Sequence, residues 1–305
     1  MTSADIFFQQ LVNGLTIGAV YALIALGYTM VYGIIQLINF AHGEVFMCGA
    51  YLGLAAIVLM GGGGAVGSGG IPLLLLVIAA AALGCSLIGL LIEKVAYRPL
   101  HRAPKLSVLI TAIGVSFFLQ NAVMLGFGAE DRYVPSLLPV THLVIGPFAV
   151  TPLQAVIFGV TFLLMIALQV VIYATPLGRA MRATAQDSLA ARLMGISIDR
   201  VIAATFCIGS ALAGVGGVLF GMYYSTINFH DGYMTGLKAF TAAVLGGIGN
   251  IPGAMVGGLM LGLLEGFGAG YISTQWKNVV AFTVLVLVLL LRPRGLLGER
   301  VADRA

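Results

Sequence analysis

Nine stretches of this chain, near 7–34, 38–60, 71–92, 106–126, 151–173, 201–223, 236–250, 252–270 and 276–291, carry almost no charge. A bilayer core takes about 20 helical residues to cross, and most of these runs reach that length. In hydrocarbon every backbone N–H and C=O must find a partner within the protein, so such runs fold as helices. The expected fold is an all-α polytopic membrane protein of about 8–9 transmembrane helices, some of them broken. Composition agrees, since 9% of residues are charged where a soluble domain has about 25%. Two runs depart from the pattern. The run 236–250 is short, and 252–270 is studded with glycine and opens at Pro252. These two read as half-helices or as one broken hairpin.

Orientation follows from lysine and arginine. The loop 93–105 holds Lys94, Arg98, Arg102 and Lys105; the loop 174–200 holds Arg179, Arg182, Arg192 and Arg200; the tail holds Arg292, Arg294, Arg300 and Arg304. Twelve of the 15 basic residues therefore lie in three segments that alternate correctly with the runs. The positive-inside rule places these segments in the cytoplasm. The N-terminus, GGGGAVGSGG at 61–70, 127–150 and 224–235 then face outward, and nine crossings satisfy both ends. MTSADIFFQQ lacks the basic start of a cleaved signal peptide, so the first run is expected to be retained.

The loop 174–200 is charged, yet it contains an apolar periodicity. Thr184 and Asp187 read as the start of a helix that Gly195 ends. Leu189, Ala190, Leu193 and Met194 fall on one face of it, with Asp187, Ser188 and Arg192 opposite. Held between two membrane spans, that face suits either the lipid surface or a partner protein.

Polar groups inside the apolar runs are the candidates for a pathway. Asn39, His42 and Glu44 open the second run. They lie near its inner end, where exposure to water is the simpler expectation and a pathway role the alternative. Gly246, Gly247, Gly249, Asn250 and Pro252 interrupt the seventh and eighth runs. Irregular backbone at that depth is tolerated only where protein or a water-filled cavity covers it, so this stretch is either a substrate path or a site of close helix packing. Ile-Asn-Phe occurs at 38–40 and again at 227–229, just before His230 and Asp231. On the topology above the two copies lie on opposite sides of the membrane, a pointer to inverted half-repeats. Glu265 lies in an apolar run without a partner that the sequence names. Trp276 and Lys277 sit where an aromatic belt and a snorkelling lysine belong.

Cys48, Cys85 and Cys207 fall in or beside the runs without metal-ligand spacing and read as small hydrophobes. GGGGAVGSGG lacks the lysine of a phosphate loop, and neither HExxH nor GxSxG occurs. No catalytic residue, metal or cofactor is expected, and the basic residues between membrane runs do not indicate nucleic acid. Active transport would draw on an ion gradient or a separate ATPase.

Three segments resemble one family throughout: GLTIGAVYALIALGYTMVYGIIQLINFAHGEVFMCGAY at 14–51, TPLGRAMRATAQDSLAARLMGISIDRVIAATFCIGSALAGVGGVL at 175–219, and LKAFTAAVLGGIGNIPGAMVGG at 237–258. The chain resembles the shorter permeases of bacterial ABC importers for branched-chain amino acids. The resemblance implies one permease domain over 1–305 in the inner membrane. It also implies a second permease subunit, two cytosolic ATPases and a periplasmic binding protein as partners, beside membrane lipid. In ABC importers the coupling loop carries Glu-Ala-Ala, three residues and then Gly. Leu189-Ala190-Ala191 and Gly195 hold that spacing, with Leu189 in place of Glu. The resemblance thus turns the segment 189–195 towards an ATPase. An ion-coupled secondary amino-acid transporter, favoured by Glu265 and the broken helices, stands as the alternative. Permeases for urea or short amides compete on substrate alone.

Overall fold

A computed structural model describes residues 3–36, 39–60, 70–100, 103–139, 141, 143–145, 148–292 and 295–298. Ile38, the glycine run up to residue 69, Arg102, Arg294, Arg300 and Arg304 lie outside the described residues. The chain runs α1 (Ser3–Ile35), α2 (His42–Leu59) and α3 (Gly70–Ile92), which a π-turn at Glu93–Tyr97 prolongs, then α4 (Lys105–Phe127). Short strands β1 (Arg132–Tyr133), β2 (Leu143–Ile145) and β3 (Phe148–Val150) precede α5 (Pro152–Ala174). Two short helices, α6 (Pro176–Gln186) and α7 (Ser188–Leu193), lead into α8 (Ile198–Tyr224). The strand β4 (Thr226–Ile227) and helices α9 (Asp231–Gly246), α10 (Ile251–Tyr271) and α11 (Lys277–Leu291) complete it. Eight of these helices are long and apolar enough to cross a membrane, and α9, at 16 residues, is the short one beside them.

α1 is the axis of the bundle. Its apolar window is 83% buried, against 6% for the peripheral α11. The α1–α10 seam is closed by glycine: a Cβ on Gly262 would stand 2.2 Å from the Cα of Gly18. Without a hydrophobic driving force between membrane helices, such close backbone approach is what lets dispersion forces hold them together. The rest of α3, α4, α5 and α11 leaves rows of leucine, phenylalanine and isoleucine exposed, among them Leu83, Leu87, Phe118 and Leu290. In water this would be an aggregation surface, whereas in lipid it is the solvent-facing side.

The two ends are held by different polar contacts. At one end β1 pairs antiparallel with β4, Arg132 opposite Ile227 and Tyr133 opposite Thr226. There the Gln9 side chain both accepts from the N–H of Ala149 (3.0 Å) and donates to its carbonyl (3.3 Å). At the other end Arg98 pairs with Asp199 at 3.0 Å. Leu296 and Leu297 donate their N–H groups to the carbonyls of Leu245 and Gly246 at that end. The segments 127–150 and 224–235, expected to share one side, do meet. So do the loops at 93–105 and 174–200.

Candidate functional site

Past α1 the chain reverses at Gln36, whose φ of 55° is left-handed. Asn39 then starts α2. Its Oδ1 accepts from the N–H of Ala41 (3.1 Å) and from the Tyr97 hydroxyl (2.8 Å), and its carbonyl accepts from the N–H of His42 (3.1 Å). The helix launched there starts inside the bundle. Asn39, His42 and Glu44 are only 3%, 1% and 1% exposed, so the expectation that they sit wet at an inner interface is corrected. The physical reason is glycine on the neighbouring helices. A Cβ on Gly27 would stand 2.2 Å from His42 Nε2, and one on Gly43 would stand 2.4 Å from the carbonyl of Gly232. Gly27 lies eight residues before the end of α1, which is about 12 Å along the helix.

The second Ile-Asn-Phe builds the same device. Asn228 Oδ1 accepts from the N–H of His230 (2.9 Å), and its carbonyl accepts from the N–H of Asp231 (3.1 Å), launching α9. The first turns of α2 and α9 meet, with Gly43 against Gly232 and Gly236. Glu44 lies at this junction. Ser116 of α4 donates to its Oε1 at 3.2 Å, while its Oε2 has no hydrogen-bond partner and rests against Gly232, whose Cβ would be 2.3 Å away. One turn on from Ser116, the Gln120 side-chain amide lies 2.8 Å from His230 Nδ1. Asn228 Nδ2 donates to Asp131 at 2.6 Å. A polar file thus runs from Glu44 and Ser116 by Gln120 and His230 to Asn228 and Asp131, between α2, α4 and the start of α9, while Asn39 pairs separately with Tyr97. Sequence reading named Asn39, His42 and Glu44 but missed Ser116 and Gln120. Their spacing of four residues, which puts two polar side chains on one face of an apolar helix, was the available signal.

Gly246, Gly247, Gly249 and Asn250 are not part of this file. They form the tight turn of the α9–α10 hairpin, the second of the two forms expected for these runs. Gly247 and Gly249 take φ values of +107° and +97°, a region costly for any residue with a Cβ. Asn250 caps α10 by accepting from the N–H of Gly253 (3.0 Å) and donates to the carbonyl of Leu297 (2.7 Å). A Cβ on Gly246 would stand 1.9 Å from the carbonyl oxygen of Gly253. Between turn and file lies a cavity of about 10 Å³ lined by Tyr28, Tyr32, Phe240, Ala243 and Ile248, room for at most one water.

Glu265 has partners after all. Lys238 of α9 reaches its Oε1 at 2.9 Å and the Tyr21 hydroxyl donates to its Oε2 at 2.8 Å, all three residues being buried. Both oxygens of this carboxylate are engaged by groups of the chain itself.

The charged loop differs from its expected form. Thr184 is no cap: Thr175 caps α6 by accepting from the N–H of Gly178 (3.1 Å), with Pro176 in the first turn. Thr184 instead donates to the carbonyl of Ala180 within α6. Asp187 caps α7, its Oδ1 accepting from the N–H groups of Leu189 (2.9 Å) and Ala190 (3.0 Å). Its short side chain suits a cap and not the third helical position. Gly195, at φ +84°, ends the helix as expected, and the N–H of Ile196 returns to the carbonyl of Ala191. Ala191 is the residue α7 buries; Leu189, Leu193 and Met194 are 69%, 81% and 83% exposed, and Ala190 and Arg192 are exposed as well. Arg182 braces α6 on α5, donating to the carbonyl of Ile172 and stacking over Tyr173 at 5.3 Å.

The family model described as branched-chain amino acid transport system / permease component matches residues 10–289. The chain belongs to that permease family. It is 51% identical to LivH of Escherichia coli (strain K12), named as a high-affinity branched-chain amino acid transport system permease protein, over 98% of this chain and 97% of the relative. It is 52% identical to BraD of Pseudomonas aeruginosa, which carries the same description, over 98% of each. A probable branched-chain amino acid permease of Methanocaldococcus jannaschii is 25% identical over 90% of this chain and 88% of its own length. No solved structure matches. The bundle agrees with that membership in having several helices long and apolar enough to cross a membrane.

Proposed function

We propose that the chain is the membrane-spanning subunit of an ATP-binding cassette importer that carries leucine, isoleucine and valine across the inner membrane. The observation that carries this is relatedness along the whole chain to permeases named for those substrates. Residues 1–305 form one permease domain with the N-terminus outside and the C-terminus in the cytoplasm, supported by the basic segments and by the polar contacts at each end. Energy comes from two separate ATPases. A second permease completes the membrane unit, and a periplasmic binding protein delivers substrate. The ion-coupled alternative loses one of its two supports, since Glu265 is already paired with Lys238, and relatedness to permeases of branched-chain amino acid transport systems favours the importer over it.

Residues 174–200 act as the coupling loop, and Leu189 through Gly195 dock in a groove of an ATPase. Supporting this, α7 turns Leu189, Leu193 and Met194 away from its own protein, the arrangement by which an amphipathic helix fills a partner's groove. A glutamate in that contact would be a desolvated, unpaired charge. Leu193→Glu should leave the permease in the membrane but abolish co-purification of its ATPases, whereas Arg192→Ala should have little effect, an exposed charge being worth about 1 kcal/mol or less. Full ATPase binding by Leu193→Glu, with loss in Arg192→Ala, would turn the docking face around.

A further inference from the structure

We propose that Arg179 and Arg182 hold the phosphate of an anionic phospholipid whose acyl chain lies along α5. The inference needs only that α5 crosses the membrane, and does not depend on what the permease carries. α5 is long and apolar enough to cross. Towards its end Leu163, Ile166, Val170 and Tyr173 are 66%, 55%, 53% and 59% exposed. Steps of three and four residues put these side chains on one face. From Leu163 to Tyr173 the stripe is about 15 Å long, the hydrocarbon depth of one leaflet. Tyr173 ends it at the level where aromatic side chains meet the headgroups. On the orientation proposed above, this is the inner leaflet.

The chain then turns sharply and brings α6 onto that end. Thr175 caps α6, Pro176 opens it, and Gly178 lies so close to the Ile172 carbonyl that a Cβ would not fit. α6 buries Gly178, Met181 and Thr184 against the bundle and leaves Arg179 and Arg182 exposed. Three residues apart on a helix, the two side chains are neighbours. Arg182 is fixed beside the stripe, donating to the Ile172 carbonyl and lying over the Tyr173 ring at 5.3 Å. A guanidinium has five N–H donors in a planar fork, so most of them remain for phosphate oxygens. α6 contains no acidic residue, and Arg179 makes no ion pair among the described residues. Leu87 and Leu91 of α3 lead likewise to Lys94 and Arg98, but Arg98 is already paired with Asp199. Two free guanidinium groups at the end of an acyl-length apolar stripe match a phospholipid, charge to charge and chain to chain. Side by side they repel the cation of a zwitterionic headgroup, which selects an anionic one.

The test separates this site from positive charge in general. The purified full-length chain is released intact from detergent in a mass spectrometer after titration with phosphatidylglycerol or phosphatidylcholine. One arginine at a membrane surface is worth about fivefold in affinity for anionic lipid, so Arg179→Gln with Arg182→Gln should weaken phosphatidylglycerol binding at least tenfold. Phosphatidylcholine binding should stay within about twofold, as should phosphatidylglycerol binding by Lys94→Gln with Arg98→Gln, which removes the same charge from the other loop. Equal losses in the two pairs, no loss in the first, or an equal loss of phosphatidylcholine overturns the assignment. Inorganic phosphate at millimolar concentration should not displace the lipid, and displacement overturns it too, leaving an anion site without an acyl contact. Should the arginine pair fail to fold, the unmutated chain decides in the membranes of the cells that make it. A photoreactive phosphatidylglycerol should label residues 173–186 there. Label confined to other segments, or none, contradicts the assignment and gives this face to a protein partner.

Discussion

Two of the buried carboxylates of this permease, Glu265 and Glu44, are held in different ways. Glu265, between α1, α9 and α10, has both oxygens occupied, one by the Lys238 ammonium and one by the Tyr21 hydroxyl. Glu44, between α2, α4 and α9, has one oxygen held by Ser116 and the other packed against Gly232 without a hydrogen bond. Both are 1% exposed, so burial alone does not tell them apart. What separates them is satisfaction. A closed pair within the chain neutralises its charges and ties three helices together, a structural arrangement. Glu44 is held instead by a single hydroxyl and by packing against Gly232.

The comparison can be broken by stability. Lys238→Met strands a buried carboxylate and should cost about 3–5 kcal/mol, seen as a large drop in the thermal unfolding midpoint of the purified protein. Replacing Lys238 and Glu265 together by apolar residues should recover most of that loss, because the charge is then removed with its partner. Glu44→Gln should cost far less, within about 1–2 kcal/mol, since only a helix-terminus attraction and a charge-assisted bond weaken. Arg98→Ala should be the mildest of the three. Its pair with Asp199 is about half exposed, and such surface pairs contribute about 0.2–1 kcal/mol. If Glu44→Gln unfolds the bundle as severely as Lys238→Met, the two acids are alike and the distinction fails.

Much of this was legible in the chain. The membrane's demand that backbone groups be satisfied makes long apolar runs into helices, so the spans and their order could be read directly. Gly195 could be read as a stop because few other residues take its φ. The depth of Glu44 could not. Sequence places it at the start of a helix, and starts are expected at interfaces; that α2 starts inside the bundle depends on Gly27 and Gly236 lying opposite, a fact of packing between distant segments. The partner of Glu265 was hidden for the same reason, since Lys238 stands 27 positions earlier on another helix. The Ile-Asn-Phe echo is only a three-residue repeat in the sequence; in the structure Asn39 and Asn228 each accept from the N–H two residues on, the same local pattern. The misplaced cap at Thr184 was a local error, because Thr175 followed by Pro176 and Asp187 followed by Ser188 both outcompete it.

The most direct measurement of the proposed role is leucine uptake into liposomes that hold this chain, with and without its partners. With the second permease, ATPases, binding protein and ATP all present, uptake should be robust and should stop when ATP is withdrawn. With the chain alone, proton or sodium gradients should drive none. Gradient-driven leucine accumulation by the chain alone would contradict the importer and restore the ion-coupled transporter.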